Sequence, residues 1–249
     1  MKFKTHGLVI YEKPAGETDR YVSILTKDRG VIHAFVRGAY NIKNPKSAAT
    51  RLLCYSDFII YESKDSFTVD SAESKEMFVA LRKDIVKTAL AQYFCQLCYE
   101  LCSDNAYAGS YLRTVLNSLY MLCRGDKENG LIKAVFELRM LALAGYMPDL
   151  KCCKICGKFE DEEMRFAPDE GCLYCGNCLD NMNNYGIKTA LGATAAMRHA
   201  IYADDKKIFA FNLSGKSLEV FANAAESYTI KKTEKRLLTL DFYKTLSTP

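Results

Sequence analysis

Two pairs of cysteines constrain this chain more than any other feature. Cys153-Lys154-Ile155-Cys156 and Cys175-Gly176-Asn177-Cys178 are C-x-x-C pairs separated by eighteen residues. A tight turn brings two thiolates of such a pair onto one tetrahedral ion, and a second turn supplies the other two. Gly157 and Gly176 suit these turns because glycine tolerates left-handed backbone. Pro168-Asp169-Glu170-Gly171 predicts a turn between the pairs. Two neighbouring thiols keep the ligand set open. Cys152 makes C-x-x-x-C with Cys156, and Cys172 makes C-x-x-C with Cys175. Cys153, Cys156, Cys175 and Cys178 are preferred, because two C-x-x-C pairs then close the site. Four thiolates leave no open coordination position, so the expected cofactor is one structural zinc ion (Zn2+) and not a water-activating one.

The remaining cysteines point to a compartment. Of 11 cysteines, seven lie outside this set, an odd number without framework spacing. That argues for a reducing cytosol and against a secreted disulfide scaffold. Met1-Lys2-Phe3-Lys4 is basic but is followed by no apolar h-region, so no signal peptide is expected. No apolar run of about eighteen residues exists, so no membrane span is expected. The net charge of +4 is too mild to prove a nucleic-acid partner.

The first 73 residues read as strands. Leu8–Tyr11, Tyr21–Thr26, Val31–Val36, Asp57–Tyr61 and Phe67–Val69 are short β-rich runs. Turn signals separate them at Pro14-Ala15-Gly16, Lys27-Asp28-Arg29-Gly30 and Ser63-Lys64-Asp65-Ser66. Five such strands predict a small OB-type barrel. From Ser74 the period turns helical. Met77, Leu81 and Ile85 begin a stripe that Leu90, Phe94, Leu97 and Leu101 continue. Further helices are predicted around Tyr111–Leu122, Leu131–Ala142, Thr189–Tyr202 and Ser214–Ile230, and the patch Leu237–Leu246 docks the C-terminus. The fold class is α+β: an N-terminal five-stranded OB-type β-barrel over 1–73, then an all-helical domain over 74–249 interrupted by a four-cysteine zinc segment at 150–180.

Charge is locally uneven. Arg29, Arg37, Lys43, Lys46 and Arg51 lie in a stretch from Arg29 to Ser56 that has no acidic residue, with Tyr40 and Tyr55 among them. A basic loop beside a barrel face can track a phosphate backbone while aromatics stack on bases. A solvated charged surface explains the same run. Glu17, Asp19 and Asp28 have Arg20 or Arg29 as neighbours, so surface pairing is expected of them rather than acid–base work. Lys231, Lys232, Lys235 and Arg236 read as a solvated helix end. Cys95, Cys98 and Cys102 share one helix face with Phe94 and Leu101, which fits core packing better than a metal cluster. No P-loop and no G-x-S-x-G elbow is present.

The order of several motifs resembles the RecO family of recombination mediators. Gly7-Leu8-Val9, Gly16-Glu17-Thr18-Asp19-Arg20, Leu25-Thr26 with Gly30, and Arg37-Gly38-Ala39 are similar to that family's N-terminal barrel. Phe136–Leu141 with Gly145–Leu150 resembles the helix that leads into its zinc segment. Cys153–Gly157, Phe166-Ala167-Pro168, Gly171 and Cys175–Cys178 resemble its zinc motif. Two positions depart from the pattern. Gly171-Cys172 stands where the family often has Gly-Gly, and His33 stands where it often has a basic residue.

The resemblance implies a non-catalytic protein of the cytoplasm, associated with the nucleoid. It implies binding of single- and double-stranded DNA, annealing of complementary strands, and action with RecR. It further implies a role in loading RecA onto DNA coated by the single-stranded-DNA-binding protein SSB, whose C-terminal tail the helical domain takes. Arg20, Arg29, His33, Arg37, Lys43, Lys46 and Arg51 are the candidate DNA contacts. Two rivals remain. A zinc-ribbon nuclease or nucleotide hydrolase needs clustered carboxylates or an open metal site, and the sequence offers neither. A zinc-stabilised RNA-binding or regulatory adaptor has the same barrel and loop.

Overall fold

The computed structural model of the chain describes residues 1–64, 66–102, 107–179 and 185–247. Asp65, in the expected turn Ser63–Ser66, lies outside them. The chain divides into two compact units, Met1–Cys123 with Leu237–Pro249, and Arg124–Arg236.

The first unit is built on a closed barrel of β1 (Lys2–Ala15), β2 (Asp19–Thr26), β3 (Val31–Val36), β4 (Tyr55–Glu62) and β5 (Phe67–Glu76). The strand order is β1-β2-β3-β5-β4, with β1 paired to β4 and only β3 and β5 parallel. This is the expected OB-type arrangement. Alternate residues fill it, among them Val9, Val22, Ile24, Ile32, Ala34, Val36, Phe58, Ile60 and Val69. Closure needs β1 to serve two neighbours. It pairs with β4 from Lys2 to Leu8 and with β2 from Gly7 to Ala15. At this crossing a Cβ on Gly7 would sit 2.6 Å from the Leu25 carbonyl oxygen, so only glycine lets the strands approach.

A bulge follows at Ile10, between the pairs Val9↔Ile24 and Tyr11↔Ser23. It resets the alternation, so that Val9 points into the barrel while Tyr11 and Lys13 face outward.

The strand at 67–69 is longer than its apolar core suggests. β5 continues to Glu76, held by its ladder to β4, so the boundary expected at 73/74 falls inside a strand. A 3-10 turn (Val79–Lys83) then leads into α2 (Ile85–Leu101). Asp84 caps α2 by accepting from the Val86 and Lys87 N–H groups at 2.9 and 3.1 Å. α1 (Lys46–Ala49) is a single turn inside the basic stretch, and α3 (Gly109–Arg124) follows α2. α7 (Leu238–Ser247) packs on α2, where Gln96 accepts from the Thr239 N–H at 3.1 Å. The C-terminus therefore docks as expected, onto the unit that holds the barrel. Cys95, Cys98 and Cys102 are buried core residues, and burial pushes the Cys95 and Cys102 thiols up to about 12.

The second unit contains α4 (Asn129–Leu143), α5 (Leu191–Tyr202) and α6 (Gly215–Thr233) with a four-stranded sheet. Lys133 on α4 bonds Glu137 at 2.9 Å and Glu226 of α6 at 2.8 Å, joining the two helices through a buried charge cluster. The sheet comprises β6 (Asp149–Cys153), β7 (Met164–Ala167), β8 (Cys172–Cys175) and β9 (Ile187–Thr189), in the order β6-β8-β7-β9. No helix among the described residues is long and apolar enough to cross a membrane.

Candidate metal centre and nucleic-acid interface

Both C-x-x-C pairs sit where a strand runs into a turn. Cys153 ends β6 and Cys175 ends β8, adjacent strands of one sheet. After Cys153 the chain folds back through Gly157, whose N–H donates to the Cys153 carbonyl at 2.9 Å and whose φ is 74°. That left-handed backbone is the one expected of Gly157. Gly176 differs. Its φ is not positive, and an added Cβ would come within 3.0 Å of the Glu163 Cβ, so its small size matters and its handedness does not.

The four Sγ atoms of Cys153, Cys156, Cys175 and Cys178 lie within 4.8 Å of one another, with Cys156 and Cys175 at 3.5 Å. A tetrahedron with metal–sulfur bonds of about 2.3 Å has sulfur–sulfur edges of about 3.8 Å, so the donor set fits a single ion. Burial pushes the Cys153 thiol up, but the backbone N–H groups of Cys156, Cys175 and Ile155 together bring it down to about 6. The same N–H groups would stabilise a metal-bound thiolate.

The two alternative thiols are placed elsewhere. Cys172 is buried in a small cluster with Ala167, Tyr174 and Leu179. Cys152 precedes Cys153 in β6 and so projects from the opposite face of the strand.

Side chains distant in sequence hold this centre, and no local pattern announces them. Arg198 of α5 donates from Nε to the Leu150 carbonyl at 2.7 Å, and from Nη2 to the Phe159 carbonyl at 2.6 Å. It thereby ties both ends of the first pair's loop. Glu170 accepts from Lys154 Nζ at 2.7 Å, from Tyr174 Oη at 2.8 Å and from Tyr185 Oη. The hydrogen bond from Lys154, then those from the two tyrosines, hold its carboxyl down at about 2. The basic end of α6 is also engaged. Lys231 pairs with Asp169 at 2.7 Å and Lys232 donates to the Asp169 carbonyl at 3.0 Å, both at the surface expected of a solvated helix end.

On the barrel, the seven candidate DNA contacts separate into two groups. Arg20 is only 2% exposed; it pairs with Glu12 at 3.0 Å and lies over the Tyr40 ring at 4.9 Å. Arg29 pairs with Glu62 at 2.9 Å and covers the Phe3 ring at 3.9 Å. The surface pairing expected for Glu17, Asp19 and Asp28 does not form among the described residues. Arg20 and Arg29 choose Glu12 and Glu62, and Asp19 accepts from the Gly38 N–H at 2.8 Å. Barrel closure brings those partners together across strands, which sequence neighbours cannot reveal.

The other group is open. Arg37, Lys43 and Arg51 are exposed and Lys46 is half-buried, and none has a carboxylate partner among the described residues. The loop carrying them is ordered by its own polar groups. Asn44 donates to the Gly38 carbonyl at 3.1 Å and caps Lys46 N–H at 3.1 Å, while Asn41 Oδ1 accepts from Lys43 N–H at 3.0 Å. His33 is exposed on β3, with Nδ1 2.9 Å from Ser23 Oγ. Tyr40 is occupied by Arg20, and Tyr55 packs edge-on against His6.

The split has a testable consequence. Arg20→Ala leaves Glu12 without its cation, at a cost of about 2 kcal/mol of stability. That is below the roughly 3–5 kcal/mol of a fully buried pair because Glu12 stays 32% exposed. The salt dependence of DNA binding should not change. A chemical denaturation curve unchanged by Arg20→Ala would contradict the structural role.

The chain matches two family models, Recombination protein O N terminal over residues 1–78 and Recombination protein O C terminal over residues 82–228. It is 34% identical over 243 residues to the DNA repair protein RecO of Acetivibrio thermocellus, covering 98% of this chain and 96% of that one. It is 28% identical over 247 residues to the DNA repair protein RecO of Symbiobacterium thermophilum, with 98% and 97% covered. The RecO protein of Dehalococcoides mccartyi is 27% identical over 243 residues, with 96% and 95% covered. With both family models spanning nearly the whole chain, barrel and cysteine centre included, this protein belongs to the RecO family of DNA repair and recombination proteins.

Proposed function

We propose that the chain is a non-catalytic recombination mediator of the cytoplasm and nucleoid, with zinc as the ion in its four-cysteine centre. It binds single- and double-stranded DNA, anneals complementary strands and, with RecR, helps load RecA onto SSB-coated DNA. The observation that carries this reading is the group of cations on the barrel, Arg37, Lys43, Lys46 and Arg51, which lack carboxylate partners among the described residues. Annealing requires that phosphate charge be neutralised so that two polyanions approach, and it requires no bond chemistry. Family membership supports the repair role. An ion held by all four thiols would have no position left for a substrate, which favours a mediator over a zinc hydrolase.

An annealing assay with complementary oligonucleotides, with and without SSB, tests the reading. The protein should accelerate annealing without nucleotide or added divalent metal, and its SSB-tail affinity should fall as salt rises. Strand cleavage in place of annealing would replace the mediator by a nuclease. Tail binding that ignores salt would remove the proposed acidic-tail contact.

A further inference from the structure

The loop between β3 and α1 carries an apolar side chain at its tip. Ile42 is 95% exposed, more than any other large apolar side chain among the described residues. A single apolar residue on a surface needs no explanation by itself. Two features set this one apart. The backbone on both sides of it is held. The Asn41 N–H donates to the Gly38 carbonyl at 3.2 Å, and the Asn44 N–H to the Asn41 carbonyl at 2.9 Å. Asn41 Oδ1 accepts from the Lys43 N–H at 3.0 Å, and the Tyr40 N–H ties the loop to the Thr18 carbonyl at 3.1 Å. Isoleucine is itself stiff at χ1, so the tip is presented in a restricted direction. Its surroundings are also cationic. Arg37, Lys43 and Arg51 are exposed and Lys46 is half-buried, in a stretch without a carboxylate.

We propose that Ile42 is a wedge that enters duplex DNA between base pairs, at steps where stacking is already broken. The inference deepens the DNA reading above and rests on it. A rigid apolar tip among cations fits a partner that is anionic outside and apolar just within. A duplex has this outline, with phosphates over stacked bases. Aliphatic side chains inserted between base steps unstack them, while neighbouring cations hold the phosphates. Lys43 follows Ile42 directly, so a phosphate contact lies beside the wedge.

Unstacking a perfect step costs free energy that a mismatch or an unpaired base has already lost. The wedge therefore selects imperfect duplex, a discrimination that phosphate contacts alone cannot make. Annealing passes through imperfectly paired intermediates, and Ile42 would hold the protein on these rather than on finished duplex. An anionic bilayer has a similar outline, but one isoleucine buries too little to anchor a protein there. Even a whole myristoyl chain binds a membrane only marginally.

The test uses the full chain and its Ile42→Ser and Ile42→Met variants. Affinity is measured for a perfect duplex, for the same duplex with one unpaired base, and for vesicles of phosphatidylglycerol and phosphatidylcholine. 2-Aminopurine beside the unpaired base reports unstacking as a rise in fluorescence. Thermal unfolding should be the same for all three proteins, since Ile42 lies in solvent. Wild type should bind the bulged duplex about tenfold more tightly than the perfect one, the factor that corresponds to the stacking of one base step. It should also brighten the probe. Ile42→Ser should bind both duplexes alike, without brightening, and with the wild-type salt slope because no charge is lost. Ile42→Met keeps an apolar tip and should behave as wild type. A wild type that binds both duplexes equally, or an Ile42→Ser that keeps the preference, would overturn the wedge and leave the DNA reading standing. Vesicle binding that depends on Ile42, with no preference for the bulge, would overturn it in favour of a membrane anchor. A wild-type chain that binds neither duplex would overturn the DNA reading itself.

Discussion

Cys178→Ser should empty the metal centre and unfold the sheet around it in one step. Wild-type protein should contain about one zinc per chain, and the variant nearly none, because three thiolates and a hydroxyl no longer close a tetrahedral site. Site formation and folding are one equilibrium where the ligands come from separate turns. An ion on these thiols would join the end of β6 to the end of β8, and these two strands share only two pairings, Asp149↔Cys172 and Cys153↔Leu173. Few ladder hydrogen bonds remain to hold the strands when the ion leaves. A loss of about 4 kcal/mol or more is expected, the range typical of a removed structural metal. A strong chelator should lower the unfolding temperature of the wild type and leave Cys178→Ser unaffected.

The neighbouring thiols provide the controls. Cys152→Ser should keep its zinc and its stability. Cys172→Ser should also keep its zinc, yet lose about 1 kcal/mol by placing a hydroxyl in the cluster with Ala167 and Tyr174. Full zinc in Cys178→Ser, or an empty site in Cys172→Ser, would overturn the ligand assignment.

These controls mark the limit of what spacing alone revealed. The C-x-x-C pairs were legible because their chemistry is local: two residues and a turn define each half-site. Spacing preferred Cys178 to Cys172, and the strand gives the reason, since Cys172 and Cys175 lie three residues apart on β8 and so take opposite faces. β2 and β3 were readable within two residues for the same reason, their apolar alternation and flanking turns being continuous. β5 was not, because Ser71–Glu76 is almost wholly polar and becomes a strand only through its partners on β4. The sheet of β6–β9 was hidden by strands of three to five residues, too short for a period to register. The return of α7 to the first unit is a long-range contact that no window of sequence contains.

The DNA candidates followed the same division. A charge count treats Arg20 and Arg37 alike, yet one is buried on Glu12 and the other exposed. The exposure of Tyr11 and Tyr21 was missed for a related reason. Tyr40 and Tyr55 lie within the basic stretch and so drew notice, while Tyr11 and Tyr21 lie on strands before it. Unbroken alternation from Val9 would place Tyr11 inside the barrel, and only the bulge at Ile10 turns it outward.

The triple variant Arg37→Ala, Lys43→Ala, Lys46→Ala should weaken single-stranded DNA binding by about 100-fold at 0.1 M salt. The estimate follows from counterion release. Each phosphate contact on a single strand contributes about 0.7 to the slope of log affinity against log salt, so three lost contacts flatten it by about 2. The loss should be similar for all base sequences, because phosphate contacts read no base edge. Arg37→Ala alone should flatten the slope by about one third as much and slow annealing in proportion. The fold should tolerate the change. Arg37 and Lys43 have no side-chain partner among the described residues, and the bonds that order the loop run through Asn41, Asn44 and the backbone. Lys46 carries one long contact, from Nζ to the Val69 carbonyl at 3.5 Å, too weak to anchor α1. Zinc content should remain at one per chain, since the cysteine centre belongs to the other compact unit. The measurement is a salt titration of single-strand affinity for both proteins. Superimposable curves would make the 37–51 loop a solvated surface and move the search for phosphate contacts to the second unit, whereas a parallel shift without a change of slope would mean that the three side chains act through something other than charge.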